Sequence, residues 1–218
     1  MASPLILASN SPRRRALLAE AGYEFEVIVP AVSETASAHL SLRELTIANA
    51  TRKGLAVYQL HPRRIVLAAD TLVALEGEVI CKPRDLNHAR VILQRLSGRT
   101  HDVCTGVCIV DPQRKISFTE ISRVRFHKLN VSDIANYFRV VNPIDKAGAY
   151  AAQTAGRSII ASVEGSFTNV IGLPMERTIE VLAQFGLQPV NASRRQLRPG
   201  PSQHVRARAS TPCTKTKR

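Results

Sequence analysis

The chain lacks the marks of a membrane protein, a disulfide scaffold or a common nucleotide-binding class. None of its apolar runs approaches the roughly 18 residues that a membrane span requires. The first such run, Pro4-Leu5-Ile6-Leu7-Ala8, is too short for a signal-peptide core, and three arginines follow it in place of a cleavage site. A cytoplasmic location with no membrane partner is therefore expected. Of the four cysteines, Cys81, Cys104, Cys108 and Cys213, none sits in a CxxC pair. Cys104 and Cys108 fall in a strand-like stretch whose even spacing puts them on one face. All four read as buried, inert thiols and not as metal or redox groups. The triplet Asn191-Ala192-Ser193 matches a glycosylation sequon, which has no meaning without a secretory route. There is no GxxxxGK[ST] loop, so the chain is not an ordinary P-loop NTPase, and GxGxxG, HExxH and GxSxG are absent too.

What is present is ordinary globular composition, 44% hydrophobic and 22% charged over 218 residues. That length suits one sizeable domain or two small lobes. The net charge of +13 is uneven. Eight Lys or Arg and no acid lie from Asn191 onward, which leaves +5 for residues 1–190. A mildly basic body suits an anionic small-molecule substrate. The tail, 188–218, is rich in Pro, Ser, Arg and Thr and too poor in apolar residues to offset the entropy of ordering, so it is expected to be disordered. Its basic residues could alternatively grip nucleic acid.

Along the body, apolar runs predict strands at Leu5–Ser9, Phe25–Val29, Arg64–Ala69 and Ser158–Val163. Alternation over Val103–Val110 and Ile116–Phe126 predicts a hairpin around Asp111-Pro112. Helices are expected over Ser11–Ala21, Leu42–Gln59, Leu86–Leu96, Val131–Val140 and Pro174–Phe185, the last with Pro at its start and Gly186 after its end. The fold class is α/β, with a mixed sheet and a cleft.

Three signals carry chemistry. Ser9-Asn10-Ser11-Pro12-Arg13-Arg14-Arg15 follows the first strand, with Ser11 as helix N-cap and Pro12 as first helical residue. Cations are disfavoured at a helix N-terminus unless an anion binds there, so the cluster reads as a phosphate site or, alternatively, as a solvated basic turn. Asp70 interrupts an apolar run, Ile65 to Val73. A buried carboxylate is expensive, so Asp70 meets either a cation or water in a cleft, as metal ligand or general base, or a structural salt-bridge partner. Glu34 follows the second predicted strand, Lys53 lies within the Leu42–Gln59 helix and Lys82 follows Gly77-Glu78-Val79-Ile80-Cys81, each weak alone. Together they form the inventory for metal-assisted attack on a polyphosphate.

Ordered blocks then extend this inventory. They run from Leu5-Ile6-Leu7-Ala8-Ser9 with Ser11-Pro12-Arg13-Arg14, through Ser33-Glu34, Lys53 and Ala69-Asp70-Thr71, to Lys82-Pro83-Arg84-Asp85 and Leu96-Ser97-Gly98-Arg99-Thr100-His101. They end with Asp145-Lys146-Ala147-Gly148-Ala149-Tyr150, Gln153, Gly165-Ser166-Phe167, Asn169-Val170 and Gly172-Leu173-Pro174. In this order they resemble the Maf family of nucleotide pyrophosphatases over about residues 4–186, within a domain of 1–187. The resemblance implies a two-lobed α/β fold with a central cleft, related to the inosine-triphosphate pyrophosphatases, and an activity that needs a divalent metal, Mg or Mn. It implies Asp70 as proton acceptor, Glu34 and Asp70 at the metal, and Ser9, Arg13, Arg14, Lys53 and Lys82 at the phosphates.

Arg13, Thr71 and Gln153 match the positions that separate the family's subgroups, and here resemble the subgroup acting on dTTP and UTP. The 7-methyl-GTP subgroup has Trp before the second arginine, Gln after the catalytic Asp and Glu in place of Gln153. An amide at Gln153 suits the carbonyl and imide N–H of thymine or uracil. Similar proteins are often homodimers. Asp145-Lys146 reads as an internal ion pair, Gly148, Gly165 and Gly172 as turn or close-approach positions, and His101 as a packing residue. The expected activity is pyrophosphate release from dTTP or UTP. The alternatives are a purine or 7-methyl-GTP substrate, or a nucleic-acid-binding or division-regulating role through the tail.

Overall fold

The computed structural model describes residues 5–33, 39–153 and 155–190. One seven-stranded mixed sheet organises the chain. β1 (Leu5–Ala8) lies parallel between β2 (Glu26–Val27) and β3 (Ile65–Leu75). β3 then pairs antiparallel with β5 (Thr100–Val110), β5 with β6 (Lys115–Phe126), and β6 with β7 (Ile160–Glu164). A short strand, β4 (Glu78–Ile80), folds back on the end of β3. The hairpin expected around Asp111-Pro112 is the β5–β6 connection, where the Asp111 carboxylate accepts from the amides of Gln113 and Arg114.

Side-chain alternation divides the core. Ile6 and Ala8 of β1 join Val66, Ala68 and Val110 beneath one helix, α2 (Leu42–Leu60), through Val57. Leu5 and Leu7 join the larger core on the opposite face. There α1 (Pro12–Glu20), α3 (Leu86–Leu96), α4 (Val131–Val140), α5 (Phe167–Ile171) and α6 (Met175–Gln184) cover the sheet. Cys104 and Cys108 face α2: the Thr46 hydroxyl lies 3.4 Å from the Cys104 sulfur, and a Cβ on Gly54 would stand 3.4 Å from the Cys108 sulfur.

Several local expectations change. β3 does not stop at Ala69 but runs through Asp70 to Leu75, because β5 pairs with it without a break from Val66 to Ala74. β2 is only two residues long, and β7 starts two residues late. β4 and α5 were not anticipated. Pro174 caps α6 and is not its first residue. Cys81 is exposed, not buried, since it follows the last residue of the short β4. Cys213 and the tail from Asn191 lie outside the described residues.

Candidate active site

β3 has one continuous neighbour, β5. Along its other edge β1 pairs with residues 65–68 and β4 with residues 73–75. Residues 69–72 have no strand beside them on that edge, and a cleft of about 840 Å³ opens there. That volume lies within the range of small-molecule sites. The turn from β1 into α1 forms one wall, and Cys81, Lys82 and the 145–152 segment line the other. The cleft therefore lies beyond the carboxyl end of a parallel strand, the usual ligand position in α/β sheets.

Asp70 forms the floor and is 3% exposed. The Lys53 ammonium donates to its Oδ1 at 2.6 Å, and Asn49 Nδ2 donates to its Oδ2 at 3.2 Å. Asn49 and Lys53 are four residues apart on α2, so they share a helix face. Ser41 and Glu44 close a reciprocal capping box that fixes where α2 starts, and the Ser41 hydroxyl beside Glu44 holds its carboxyl below the usual range. Gly106, the residue opposite Asp70 in the β3–β5 ladder, lets α2 come this close. A Cβ there would stand 2.4 Å from the Thr46 carbonyl carbon and 2.7 Å from the Ile47 nitrogen.

The phosphate-site expectation at the helix start has a clear geometry. Ser11 caps α1 by accepting from the Arg14 amide at 3.4 Å, and Pro12 opens the helix. Ser9 Oγ accepts from the Ser11 amide at 3.2 Å and from Arg14 NH1 at 3.1 Å. With both lone pairs so engaged, the Ser9 hydroxyl proton is what it has to offer a ligand, which suits an acceptor-only phosphate oxygen. Arg13 reaches Asp145 at 3.5 Å, and Lys146 pairs with Asp145 at 2.6 Å, so the expected Asp145–Lys146 ion pair exists but on the exposed rim.

Arg14 lies deeper, 9% exposed. Besides Ser9 its guanidinium donates to the Ala69 carbonyl at 2.9 Å, the Gly172 carbonyl at 2.8 Å and the Thr71 hydroxyl at 2.9 Å. Thr71 Oγ1 also meets Thr105 Oγ1 at 2.9 Å, and Thr105 donates to the Asn169 carbonyl at 3.2 Å. Gly172 adopts φ 131°, which places its carbonyl beneath Arg14.

Ser9, Arg13, Arg14, Lys53, Lys82, Asp70 and Thr71 thus line one cleft. Gln153 does not. It lines a second hollow of about 690 Å³ with Leu17, Arg157 and Phe167, while its neighbour Ala152 lines both. Glu34 lies outside the described residues. Among those described, no three His, Cys, Asp or Glu side chains converge as a metal cluster. Asn49 and Gly106 were not foreseen, although the four-residue offset of Asn49 from Lys53 was readable. His101 is a packing residue as expected: it is 2% exposed and edge-on to Phe126 and Tyr150, and its Nε2 lies 2.9 Å from the Tyr150 hydroxyl. Burial lowers its pKa to about 4.

Fold and site together define an α/β protein with a cation-rimmed cleft built around a buried carboxylate. The chain belongs to the Maf-like protein family, whose model matches residues 4–185. It is 45% identical over 186 residues to a dTTP/UTP pyrophosphatase of Akkermansia muciniphila, covering 85% of this chain and 98% of that one. It is 46% identical over 182 residues to a dTTP/UTP pyrophosphatase of Symbiobacterium thermophilum, covering 84% and 94%. A solved nucleoside-triphosphatase / dITP/XTP pyrophosphatase from Mycobacterium abscessus is 13% identical, with a TM-score of 0.41 over 88% of this chain and 98% of that one. A likeness of that size carries no functional weight. Among the described residues no helix is long and apolar enough to cross a membrane.

Proposed function

We propose that this protein hydrolyses dTTP and UTP at the α-phosphorus, releasing the nucleoside monophosphate and pyrophosphate. The names of its close relatives support the reaction and the substrates. The observation that carries the reading is Asp70, a buried carboxylate at the open edge of β3, held by Lys53 and Asn49 on the floor of a cleft rimmed by Arg13 and Lys82.

Asp70 takes the proton from the attacking water as its oxygen bonds to the α-phosphorus. The bond from that phosphorus to the bridging oxygen breaks, and pyrophosphate leaves with the electron pair. Ser9 donates to a phosphate oxygen. Arg13, Lys53 and Lys82 balance the charge that grows on the leaving group. Arg14 adds positive charge from below. Its bonds to Ser9, Ala69, Thr71 and Gly172 fix the guanidinium in place.

The donor set suits a hard divalent cation. Mg²⁺ or Mn²⁺ is held in such sites by one or two carboxylates plus substrate phosphates, and Asp70 supplies one carboxylate. Glu34 is the second ligand in this reading. When bound, the ion draws charge from the phosphate oxygens.

The test is pyrophosphate release from a panel of nucleoside triphosphates, with and without Mg²⁺ or Mn²⁺, for the wild type and Asp70→Asn. The expected result is metal-dependent release from dTTP and UTP that falls about 10²–10⁴-fold in the variant. Near wild-type turnover by a folded Asp70→Asn protein would end the mechanism. No release from any nucleotide would end the assignment.

A further inference from the structure

We infer that Arg14 is a positioning residue for Asp70 and not one of the clamps that grip the triphosphate. The inference rests on the pyrophosphatase reading above and deepens it. A guanidinium has five N–H donors. Four of those of Arg14 are committed within the protein: Nε to Gly172, NH1 to both Ser9 and Ala69, and NH2 to Thr71. A bidentate phosphate clamp needs two parallel N–H groups on one edge of the guanidinium. Each edge of Arg14 already has a donor engaged by protein, so no intact fork is left.

The choice of acceptors shows what the side chain does instead. Ala69 and Thr71 flank Asp70 in sequence, and all three lie where β3 has no strand beside it. Arg14 occupies the place of that missing strand and holds both neighbours of the carboxylate. Through Ser9 it ties the open edge to the turn at the start of α1. Through Gly172 it ties the edge to the segment after α5, which Asn169 anchors to Val103 and Ser122 at 3.0 and 2.9 Å. Lysine keeps the charge but has one nitrogen and cannot span four acceptors.

The experiment compares the full-length wild type with Arg14→Lys, Thr71→Val and Arg13→Lys. Three quantities are read: kcat and KM for dTTP, the inhibition constant of pyrophosphate, and amide hydrogen exchange in peptides covering residues 69–72. Arg14→Lys should lower kcat about 10²-fold, the cost of a small misplacement at the reacting centre. Its KM and pyrophosphate inhibition should stay within about threefold of wild type, and exchange at 69–72 should accelerate at least about tenfold. Thr71→Val removes one acceptor and should shift kcat and exchange in the same direction by less. Arg13→Lys should act mainly on KM and on pyrophosphate.

The inference is overturned if Arg14→Lys weakens pyrophosphate about tenfold while kcat and exchange hold. Unchanged exchange at 69–72 in both Arg14→Lys and Thr71→Val would overturn it as well. Should Arg14→Lys not fold, Thr71→Val alone decides by the same criteria. Exchange needs no turnover, so a wild type inactive on every nucleotide would sink the proposed function and leave Arg14 to be judged by exchange alone.

Discussion

Gly106→Ala adds one methyl group and should damage both stability and catalysis. The new Cβ would meet the carbonyl carbon and oxygen of Thr46 at 2.4 and 2.5 Å and the nitrogen of Ile47 at 2.7 Å. These are backbone atoms of α2, which cannot swing aside as a side chain would. The nearest contact is about 1 Å short of a van der Waals distance, so α2 has to retreat by about that much or the strand must buckle. Overpacking of this kind costs about 1–3 kcal/mol, and for a chain of this size that lowers Tm by about 2–12 °C. The same retreat draws Asn49 and Lys53 away from Asp70, and a displacement of about 1 Å at a reacting centre costs about 10²-fold in kcat. The control is Gly54→Ala, one face further along α2. Its Cβ would sit 3.4 Å from Ala68 Cβ and Cys108 Sγ, an ordinary contact, and alanine favours the helix by about 1 kcal/mol. Thermal melts and dTTP turnover on both proteins decide the matter. If Gly106→Ala melts within 1 °C of the wild type (about 0.3 kcal/mol) and turns over normally, helix proximity does not set the Asp70 geometry.

Two further predictions follow from individual side chains. His101 titrates at about 4 in the folded protein against 6.5 for a free imidazole, so the unfolded chain binds more protons between those values. Its contribution is complete above about pH 6.5 and falls away as pH drops toward 4, by about 3 kcal/mol in all. Urea denaturation at pH 7 and pH 4.5 should show this loss, and His101→Phe should flatten it; an equal pH dependence in the variant would refute the assignment. If Gln153 selects the base from the neighbouring hollow, as its match to the dTTP/UTP subgroup implies, Gln153→Glu should lower kcat/KM for dTTP relative to purine nucleotides in a competition assay. An unchanged ratio would move base selection from Gln153 to the cleft lining around Val73, Ile80 and Tyr150.

Much of this arrangement was readable because local rules and tertiary structure agree. Ser11 and Pro12 announced α1, and both serve as cap and first residue. Asp70 stood out because a carboxylate inside an apolar run demands a partner, and its partners are Lys53 and Asn49. The misses have physical causes. β3 was expected to end at Ala69 because Asp70 breaks the apolar pattern, but backbone pairing with β5 ignores side-chain polarity. β4 was hidden because its two-residue turn, Glu76-Gly77, puts Glu at φ 54° in a role where Asn or Gly is the usual signal. α5 has five residues, too few for a helical period to register. Asn49 and Gly54 give α2 a polar and small buried face, so its contact with the sheet follows from Gly106 opposite and not from an apolar stripe. Gln153 could be matched to a subgroup by sequence, but which hollow it lines depends on how the 145–152 segment turns through Gly148 and Ala149, both at positive φ.

The interruption on β3 also explains why binding and catalysis meet at one place. An unpaired strand edge invites association, so proteins cover or charge such edges. Here β1 ends opposite Ala68 and β4 ends opposite Val73, and the edge between them is met by the Arg14 guanidinium and by the cleft. Among the described residues, Arg13, Arg14, Lys53 and Lys82 line that cleft with the carboxylates of Asp70 and Asp145. Asp145 spends its charge on Lys146 and Arg13 at the rim, where solvent screens it, whereas Asp70 is buried beside Lys53. These cations favour an anion in the cleft beside residues 69–72. A polyphosphate drawn into it comes to rest against the carboxylate that has to act on it. Moving Asp70 two positions toward the start of β3 would place it at residue 68, where β1 pairs with the strand and the cleft does not open.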